Sequence, residues 1–222
     1  SVAAVEEVLA RAAGAPGLRI VPVRADGLPG AVHALGTAGL VCGRVRGEIR
    51  FPDDATISPE HARFTAREAG AVVEDLRSLN GTFVRLRGPR PLSSGDEVRL
   101  GRQLLRVEPL PRAIEGTGAR PWGSADPGYR VRLVQVLEGG GVGEVFPLAD
   151  GESLVGREAG DVTFPSDRYV SARHARIDVA AGGVTITDVG SSNGTFVRAA
   201  GPTEIGPGDQ VLIGMQLLRI EG

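Results

Sequence analysis

The segment Asn80-Gly81-Thr82-Phe83-Val84-Arg85 occurs twice in this chain, and its second copy is Asn193-Gly194-Thr195-Phe196-Val197-Arg198. The two copies lie 113 residues apart, and the same shift aligns residues 43–108 with 156–221 without a gap. In that alignment 30 of the 66 positions are identical. Solenoid repeats span only about 20–50 residues, so a repeat of this length is a whole domain. The sequence therefore predicts a duplicated domain.

The duplication predicts how the chain is divided. The first domain is expected over 17–110 and the second over 129–222. Between them, the segment 111–128 is rich in proline and glycine, which is typical of a linker. Residues 1–16 carry apolar residues at helical spacing, which predicts a short N-terminal helix. Whether this helix is a simple leader or a docking segment stays open.

Strand patterns predict the fold class. Residues 184–187 alternate apolar and polar side chains, as in a half-buried strand. Gly101-Arg102 and Gly214-Met215 each separate two apolar runs, which predicts tight hairpins with glycine first in the turn. The chain has 33 glycines and 15 prolines, which favours many turns over long helices. We therefore expect an all-β protein with two β-sandwich domains.

Charge and composition exclude several classes of function. The formal net charge is −2, and every basic residue is arginine, so no strongly basic field predicts nucleic-acid binding. No apolar run reaches the roughly 18 residues of a membrane span, and no signal peptide is apparent. No group of residues has metal-site spacing, and Cys42 is the single cysteine. These features predict a cytoplasmic protein with no cofactor, no metal, and neither nucleic acid nor membrane as a partner.

Three short motifs follow one another in both copies: Gly-Arg, Ser-x-x-His and Asn-Gly-Thr. The spacing is 14 residues from Arg44 to Ser58 and 22 from Ser58 to Asn80, and both values recur in the second copy. This pattern resembles the signature of forkhead-associated (FHA) domains, which are SMAD-like β-sandwiches. The resemblance implies a bacterial tandem adaptor, not an enzyme, that binds phosphothreonine in a protein or peptide. A Ser/Thr kinase or its substrate would then be the partner.

The resemblance also implies which residues bind the phosphopeptide. In the second copy they are Arg157, Ser171, Arg173, Ser192 and Asn193. A phosphothreonine carries about two negative charges and three acceptor oxygens, which an arginine fork and serine hydroxyls complement. The asparagine would hold the peptide backbone, and Arg173 would add positive charge.

The first copy departs from this pattern. Arg44, Ser58 and Asn80 remain, but Leu79 stands where the second copy has Ser192. Glu60 replaces Arg173 and adds a negative charge that would repel phosphate. We therefore expect the main site in the second domain. A phosphate-independent scaffold with degenerate FHA domains is the alternative interpretation.

The remaining motif residues are expected to be structural. His61 and His174 lie three residues after Ser58 and Ser171, but no acid partner or oxyanion motif accompanies them. Under the resemblance, each histidine supports its loop. Gly81 and Gly194 are expected to allow a left-handed turn that exposes the preceding asparagine.

Overall fold

The computed structural model describes residues 17–110, 118, 122–125 and 127–222. Every regular element within these ranges is a β-strand, which confirms the predicted all-β class. The helix expected over 1–16 and most of the linker expected over 111–128 lie outside the described residues.

The strands of the two repeats follow one another in the same order. Those of the first repeat are β1 (Arg19–Val23), β2 (His33–Ala34), β3 (Leu40–Gly43), β4 (Ile49–Arg50), β5 (Ala62–Arg67), β6 (Gly70–Asp75), β7 (Thr82–Arg85), β8 (Arg90–Leu92), β9 (Glu97–Leu100) and β10 (Gln103–Pro109). Those of the second repeat are β11 (Val131–Val136), β12 (Val142–Leu148), β13 (Gly151–Gly156), β14 (Val162–Thr163), β15 (Ala175–Ala180), β16 (Gly183–Asp188), β17 (Thr195–Arg198), β18 (Thr203–Ile205), β19 (Gln210–Ile213) and β20 (Gln216–Glu221).

The predicted hairpins are present. Leu100 pairs with Gln103 across the β9–β10 turn, and Ile213 pairs with Gln216 across the β19–β20 turn. The first turn residue is Gly101 in one hairpin, with φ of 56°, and its equivalent in the other has φ of 57°. Glycine adopts this left-handed conformation without steric cost, which is why it stands first in both turns.

The strands form two compact units that combine segments of both repeats. The first unit contains the chain up to Arg85 together with Arg198–Gly222, and the second unit is Leu86–Val197. In the first unit one sheet has the order β7-β19-β20-β1-β2 and the other β18-β6-β5-β3-β4. In the second unit the orders are β12-β11-β10-β9-β17 and β14-β13-β15-β16-β8. Each unit is thus a sandwich of two five-stranded sheets. Three strands of each unit come from the other repeat: β18, β19 and β20 in the first unit, and β8, β9 and β10 in the second.

Strand pairing shows the exchange directly. In the first unit, β6 pairs with β18, placing Val72 opposite Glu204. In the second unit, β16 pairs with β8, placing Thr185 opposite Pro91. Because residue 204 lies 113 residues after 91, the two pairings are equivalent. The expected domains 17–110 and 129–222 describe the sequence repeats, whereas the compact units exchange the terminal segments of those repeats.

The hydrophobic cores explain how either segment can complete either unit. Five positions of the exchanged segment are buried in each core. In the first unit they are Ile205, Val211, Ile213, Leu218 and Ile220, and in the second unit they are Leu92, Val98, Leu100, Leu105 and Val107. Aliphatic side chains of nearly equal volume occupy equivalent positions, and such swaps cost little in a core. The four-residue connections at 86–89 and 199–202 are short, and short hinge loops favour strand exchange.

A disulfide between β6 and β18 tests this exchange. We expect the variant Val72→Cys/Glu204→Cys to form an intramolecular disulfide under mild oxidation, because facing antiparallel residues have Cα atoms about 4.5–5.5 Å apart. Burial raises the pKa of the Cys42 thiol to about 12, so this thiol does not compete. Mobility on non-reducing gels and thiol titration measure the bond.

The matched control is Val72→Cys/Pro91→Cys, which joins the positions that would face each other if each repeat folded by itself. The exchanged structure predicts that this pair stays reduced. Oxidation of the control in place of the 72/204 pair would contradict the exchange, and a disulfide-linked dimer would place the exchange between two chains.

Candidate functional site

The three sequence motifs of each repeat meet at one end of its unit. Arg44 follows β3, and its backbone N–H donates to the Ser58 carbonyl at 2.9 Å. Arg157 follows β13 and donates to the Ser171 carbonyl at the same distance. We call Arg44, Ser58 and Asn80 the first site. The second site consists of Arg157, Ser171, Ser192 and Asn193.

A buried histidine holds the loops of the first site together. The Ser58 backbone N–H donates to His61 Nδ1 at 3.1 Å, so Nδ1 carries no proton. The His61 Nε2–H then donates to the Gly81 carbonyl at 3.0 Å. His174 makes the same two bonds in the second unit, at 3.0 Å and 3.2 Å. Each histidine therefore ties the serine loop to the Asn-Gly-Thr loop.

The loop serines are arranged as hydrogen-bond donors. Ser58 Oγ accepts a bond from the Leu79 backbone N–H at 3.0 Å. Ser171 Oγ accepts one from the Ser192 backbone N–H at 3.1 Å. A hydroxyl that accepts one bond still has its own proton to donate. Both serines are half-buried, so this proton can reach a ligand at the surface.

The two asparagines are exposed and held by one bond each. Asn80 Nδ2 donates to the Thr56 carbonyl at 2.7 Å, and Asn193 Nδ2 donates to the Tyr169 carbonyl at 2.8 Å. The amide oxygen and the second N–H of each side chain make no hydrogen bond to the other described residues. This geometry suits contact with a peptide backbone, which offers both a donor and an acceptor.

An Asp-Ser-Thr network shapes the turn before each asparagine, as expected for aspartates five residues before Asn80 and Asn193. Asp75 Oδ2 accepts from Ser78 Oγ and Thr82 Oγ1, both at 2.7 Å. The Ser78 hydroxyl in turn accepts from the Gly81 N–H at 2.9 Å. Burial acts to raise the pKa of Asp75, but these hydrogen bonds outweigh it and lower the pKa. Asp188 is bonded in the same way, and identity of all three residues in both repeats was the available signal.

Glycine is required at Gly81 and Gly194 for conformational reasons. Their φ values are +81° and +85°, in the left-handed region that disfavours other residues. A Cβ atom at Gly81 would also collide with the Arg198 guanidinium.

A buried aspartate fastens each site loop to the exchanged hairpin. Asp54 Oδ2 accepts from the Met215 N–H and from Gln216 Nε2, both at 3.0 Å. In the second unit Asp167 Oδ2 accepts from the Arg102 N–H and Gln103 Nε2, both at 2.8 Å. The hairpin of one repeat thus supports the site loop of the other, a role that the sequence analysis missed.

The two arginines differ in their partners. Arg157 donates to Glu158 at 2.6 Å. Arg44 has Val45 as its neighbour, and its Nε is buried without a hydrogen-bond partner in the described structure. Arg157 therefore forms an ion pair with the acid that follows it, whereas the residue that follows Arg44 is apolar.

Four further residues discussed in the sequence analysis lie at the surface. Leu79 has 85% of its surface exposed, and Ser192 is exposed at the equivalent position. Arg173 is exposed beside Ser171, and Glu60 is exposed beside the first site.

The part of the chain that the structure describes contains no cluster of three or more His, Cys, Asp and Glu side chains that could hold a metal ion. Within the same ranges, no helix has the length and apolar character of a membrane span.

The buried histidine predicts a pH-dependent stability. Burial lowers the pKa of His61 below its ordinary value of 6.5, outweighing the Gly81 carbonyl and Asp75, which raise it. The unfolded chain therefore takes up this proton first, and the free energy of unfolding should decrease as the pH falls below about 6.5. Urea denaturation between pH about 7.5 and about 5 measures it.

The variant His61→Gln should be less stable near neutral pH. Its free energy of unfolding should change less than that of the wild type between pH about 7.5 and about 5. His33→Gln is the matched control, since His33 lies in β2 and belongs to neither site. This variant should keep the full decrease in the free energy of unfolding between pH about 7.5 and about 5. A wild-type stability that is constant down to pH about 5 would contradict the assigned role.

The comparisons with known proteins agree with this geometry. The family model described as "FHA domain" matches residues 40–101 and 154–214, which is more than half of the chain. The oxoglutarate dehydrogenase inhibitor of Corynebacterium diphtheriae is 47% identical over 66 residues, covering 28% of this chain and 46% of that protein. The glycogen accumulation regulator GarA of Mycolicibacterium smegmatis is 34% identical over 105 residues, covering 46% of this chain and 61% of that protein.

A third relative is the FHA domain-containing protein FhaB of Mycobacterium tuberculosis, which is 32% identical over 72 residues. That match covers 32% of this chain and 46% of FhaB. This chain thus spans between 46% and 61% of the length of these bacterial relatives. Together with the two matched ranges, the sandwich units show that the chain belongs to the FHA domain family and carries that domain twice.

Proposed function

We propose that this chain is an adaptor that binds phosphothreonine in partner proteins during Ser/Thr-kinase signalling, with its main site around Arg157. The observation that supports this most directly is the convergence of Arg157, Ser171, Ser192 and Asn193 at one end of the second unit. An arginine fork, two hydroxyl donors and an amide are the groups that a phosphothreonine peptide requires.

The strength of these contacts fits a reversible signal. Each charge-assisted hydrogen bond contributes about 1.5–3 kcal/mol. Ordering a flexible peptide offsets part of this gain. The net free energy of peptide binding is then about 8 kcal/mol in magnitude, which corresponds to a micromolar dissociation constant.

The geometry of the histidines argues against catalysis. A general base needs a ring nitrogen directed at the nucleophile. In both units, Nδ1 is occupied by a backbone N–H and Nε2 faces a backbone carbonyl. Ser58 Oγ and Ser171 Oγ are bonded to backbone amides instead. A binding protein, not an enzyme, is therefore the function that this arrangement supports.

Removing each phosphate arginine tests the proposal and the ranking of the two sites. We expect Arg157→Ala to weaken binding of a phosphothreonine peptide by about ten- to a hundredfold, because charged hydrogen bonds are lost. Arg44→Ala should have the smaller effect on a peptide selected by the whole chain. Isothermal titration calorimetry measures both affinities.

The unphosphorylated twin of the peptide is the control, and it should not bind. Equal affinity for the two peptides would contradict phosphate recognition and favour the alternative of a phosphate-independent scaffold. Equal losses in the two arginine variants would contradict the ranking of the sites.

A gain of function tests the missing donor in the first site. Leu79→Ser restores the hydroxyl that Ser192 supplies in the second site, and Leu79 is exposed, so the exchange costs little stability. In a chain that also carries Arg157→Ala, we expect phosphopeptide affinity to increase by about three- to tenfold, in line with one additional hydrogen bond.

The matched control is Leu79→Ala, which removes the same apolar side chain without adding a donor. An equal increase in phosphopeptide affinity in both variants would show that the size of the Leu79 side chain, and not the missing hydroxyl donor, limits binding at the first site.

A further inference from the structure

The first site opens onto a surface cavity that its sequence motif did not predict. The cavity has a volume of about 300 Å³ and is lined by Arg44, Val45, Arg50 and Pro52. Two of these four residues carry a positive charge. The cavity is therefore of a size and charge that suit an anionic group.

Arg44 lines this cavity and has an unsatisfied donor. Its Nε is buried and has no hydrogen-bond partner among the described residues. Leaving a buried donor unsatisfied costs about 1–3 kcal/mol, and more for a charged group. A bound anion that accepts a hydrogen bond from this Nε would relieve the cost, and this favours the binding of an anion beside Arg44.

The neighbouring strand brings Arg50 to the same place. β4 runs parallel to β3, and Arg50 is the partner of Gly43, the residue directly before Arg44. The Phe51 N–H donates to the Gly43 carbonyl at 3.1 Å and fixes this register. Arg50 is exposed, and its side chain makes no hydrogen bond or ion pair with the described residues.

Nearby carboxylates do not cancel this charge. Glu48 accepts a bond from the Val41 N–H at 2.7 Å, and Asp54 is bonded to the exchanged hairpin. Asp53 and Glu60 are exposed, and neither lines the cavity. The two guanidinium groups therefore dominate the electrostatics of the cavity itself.

The second site has a different composition at the equivalent positions. Glu158 stands where the first repeat has Val45, and Thr163 stands where it has Arg50. Arg157 is already paired with Glu158. At these two positions the second site therefore has a carboxylate and no second arginine, and its further positive charge, Arg173, lies beside Ser171.

We propose that the first site selects phosphothreonine peptides that carry an acidic residue beside the phosphothreonine. Arg44 contacts the phosphate, and Arg50 contacts the carboxylate. This inference rests on the proposed phosphothreonine binding, and it assigns different ligands to the two sites. The second site does not share the preference, because Glu158 repels an acidic neighbour.

The test uses the full chain carrying Arg157→Ala, so that only the first site binds. One phosphothreonine peptide with neutral flanks is compared with a set in which a single Asp occupies each flanking position in turn. Fluorescence polarisation gives the affinities. At one position or more we expect about three- to fivefold tighter binding, the range of an exposed ion pair.

Substitutions at the cavity test whether Arg50 causes this preference for acidic peptides. Arg50→Thr, which introduces the residue of the second repeat, should abolish the difference between acidic and neutral peptides. Arg46→Thr is the matched control, because Arg46 is exposed in the same loop but does not line the cavity, and it should keep the difference. In the reciprocal experiment, Glu158→Val/Thr163→Arg in a chain carrying Arg44→Ala should transfer the preference to the second site.

The outcomes distinguish this inference from the proposed function. If phosphopeptides bind with the same affinity whatever their flanks, the assignment of Arg50 is overturned while phosphothreonine binding stands. If the Arg157→Ala chain binds no phosphopeptide although its folding is intact, the first site is not a binding site and the inference fails. If binding ignores the phosphate in every chain, the proposed function itself is wrong.

Discussion

A buried carboxylate holds each binding loop against a hairpin of the other repeat, and the geometry of both sites depends on it. Asp54 accepts bonds from the β19–β20 hairpin, and Asp167 accepts bonds from the β9–β10 hairpin. The loop between this aspartate and the site serine has no regular structure of its own. Its position is set at one end by the aspartate and at the other by the histidine beneath the serine. The site is therefore as rigid as the sandwich that carries it, which favours binding because little entropy is lost.

The two sites share this frame and differ in the charges placed on it. The hydrogen bonds of His61, Ser58 and Asn80 recur at His174, Ser171 and Asn193 with nearly equal lengths. Around this frame, the exposed Leu79 and Glu60 of the first repeat are replaced by the exposed Ser192 and Arg173 in the second. Such positions change ligand preference without disturbing the core, because exposed side chains contribute little to stability. Duplication followed by change at exposed positions gives one chain two copies of the same frame with different surrounding side chains.

The sequence was sufficient for the class of fold and for the motifs that the structure brings together, but not for the composition of the units. The hairpin turns at Gly101 and Gly214 were predictable, because glycine in the left-handed region leaves a clear local pattern. The exchange was not predictable, because equivalent pairs such as Val98 and Val211 fill a core equally well. No local pattern tells which copy of a segment completes which sandwich. Similarly, the difference between Val45 and Glu158 can be seen in the sequence. Only the structure shows that the Nε of Arg44 is buried without a hydrogen-bond partner among the described residues.

The division of the chain also orders the events of its synthesis. The strands of the second unit end with β17 at Arg198, so this unit is complete before β18, β19 and β20 are made. The first unit needs β18, β19 and β20, which are more than a hundred residues away from the strands they join. Closing so long a loop is slow, although its entropic cost grows only with the logarithm of length. As the chain leaves the ribosome, the unit in the middle of the sequence can therefore fold first, and the unit that begins the chain is the last to close.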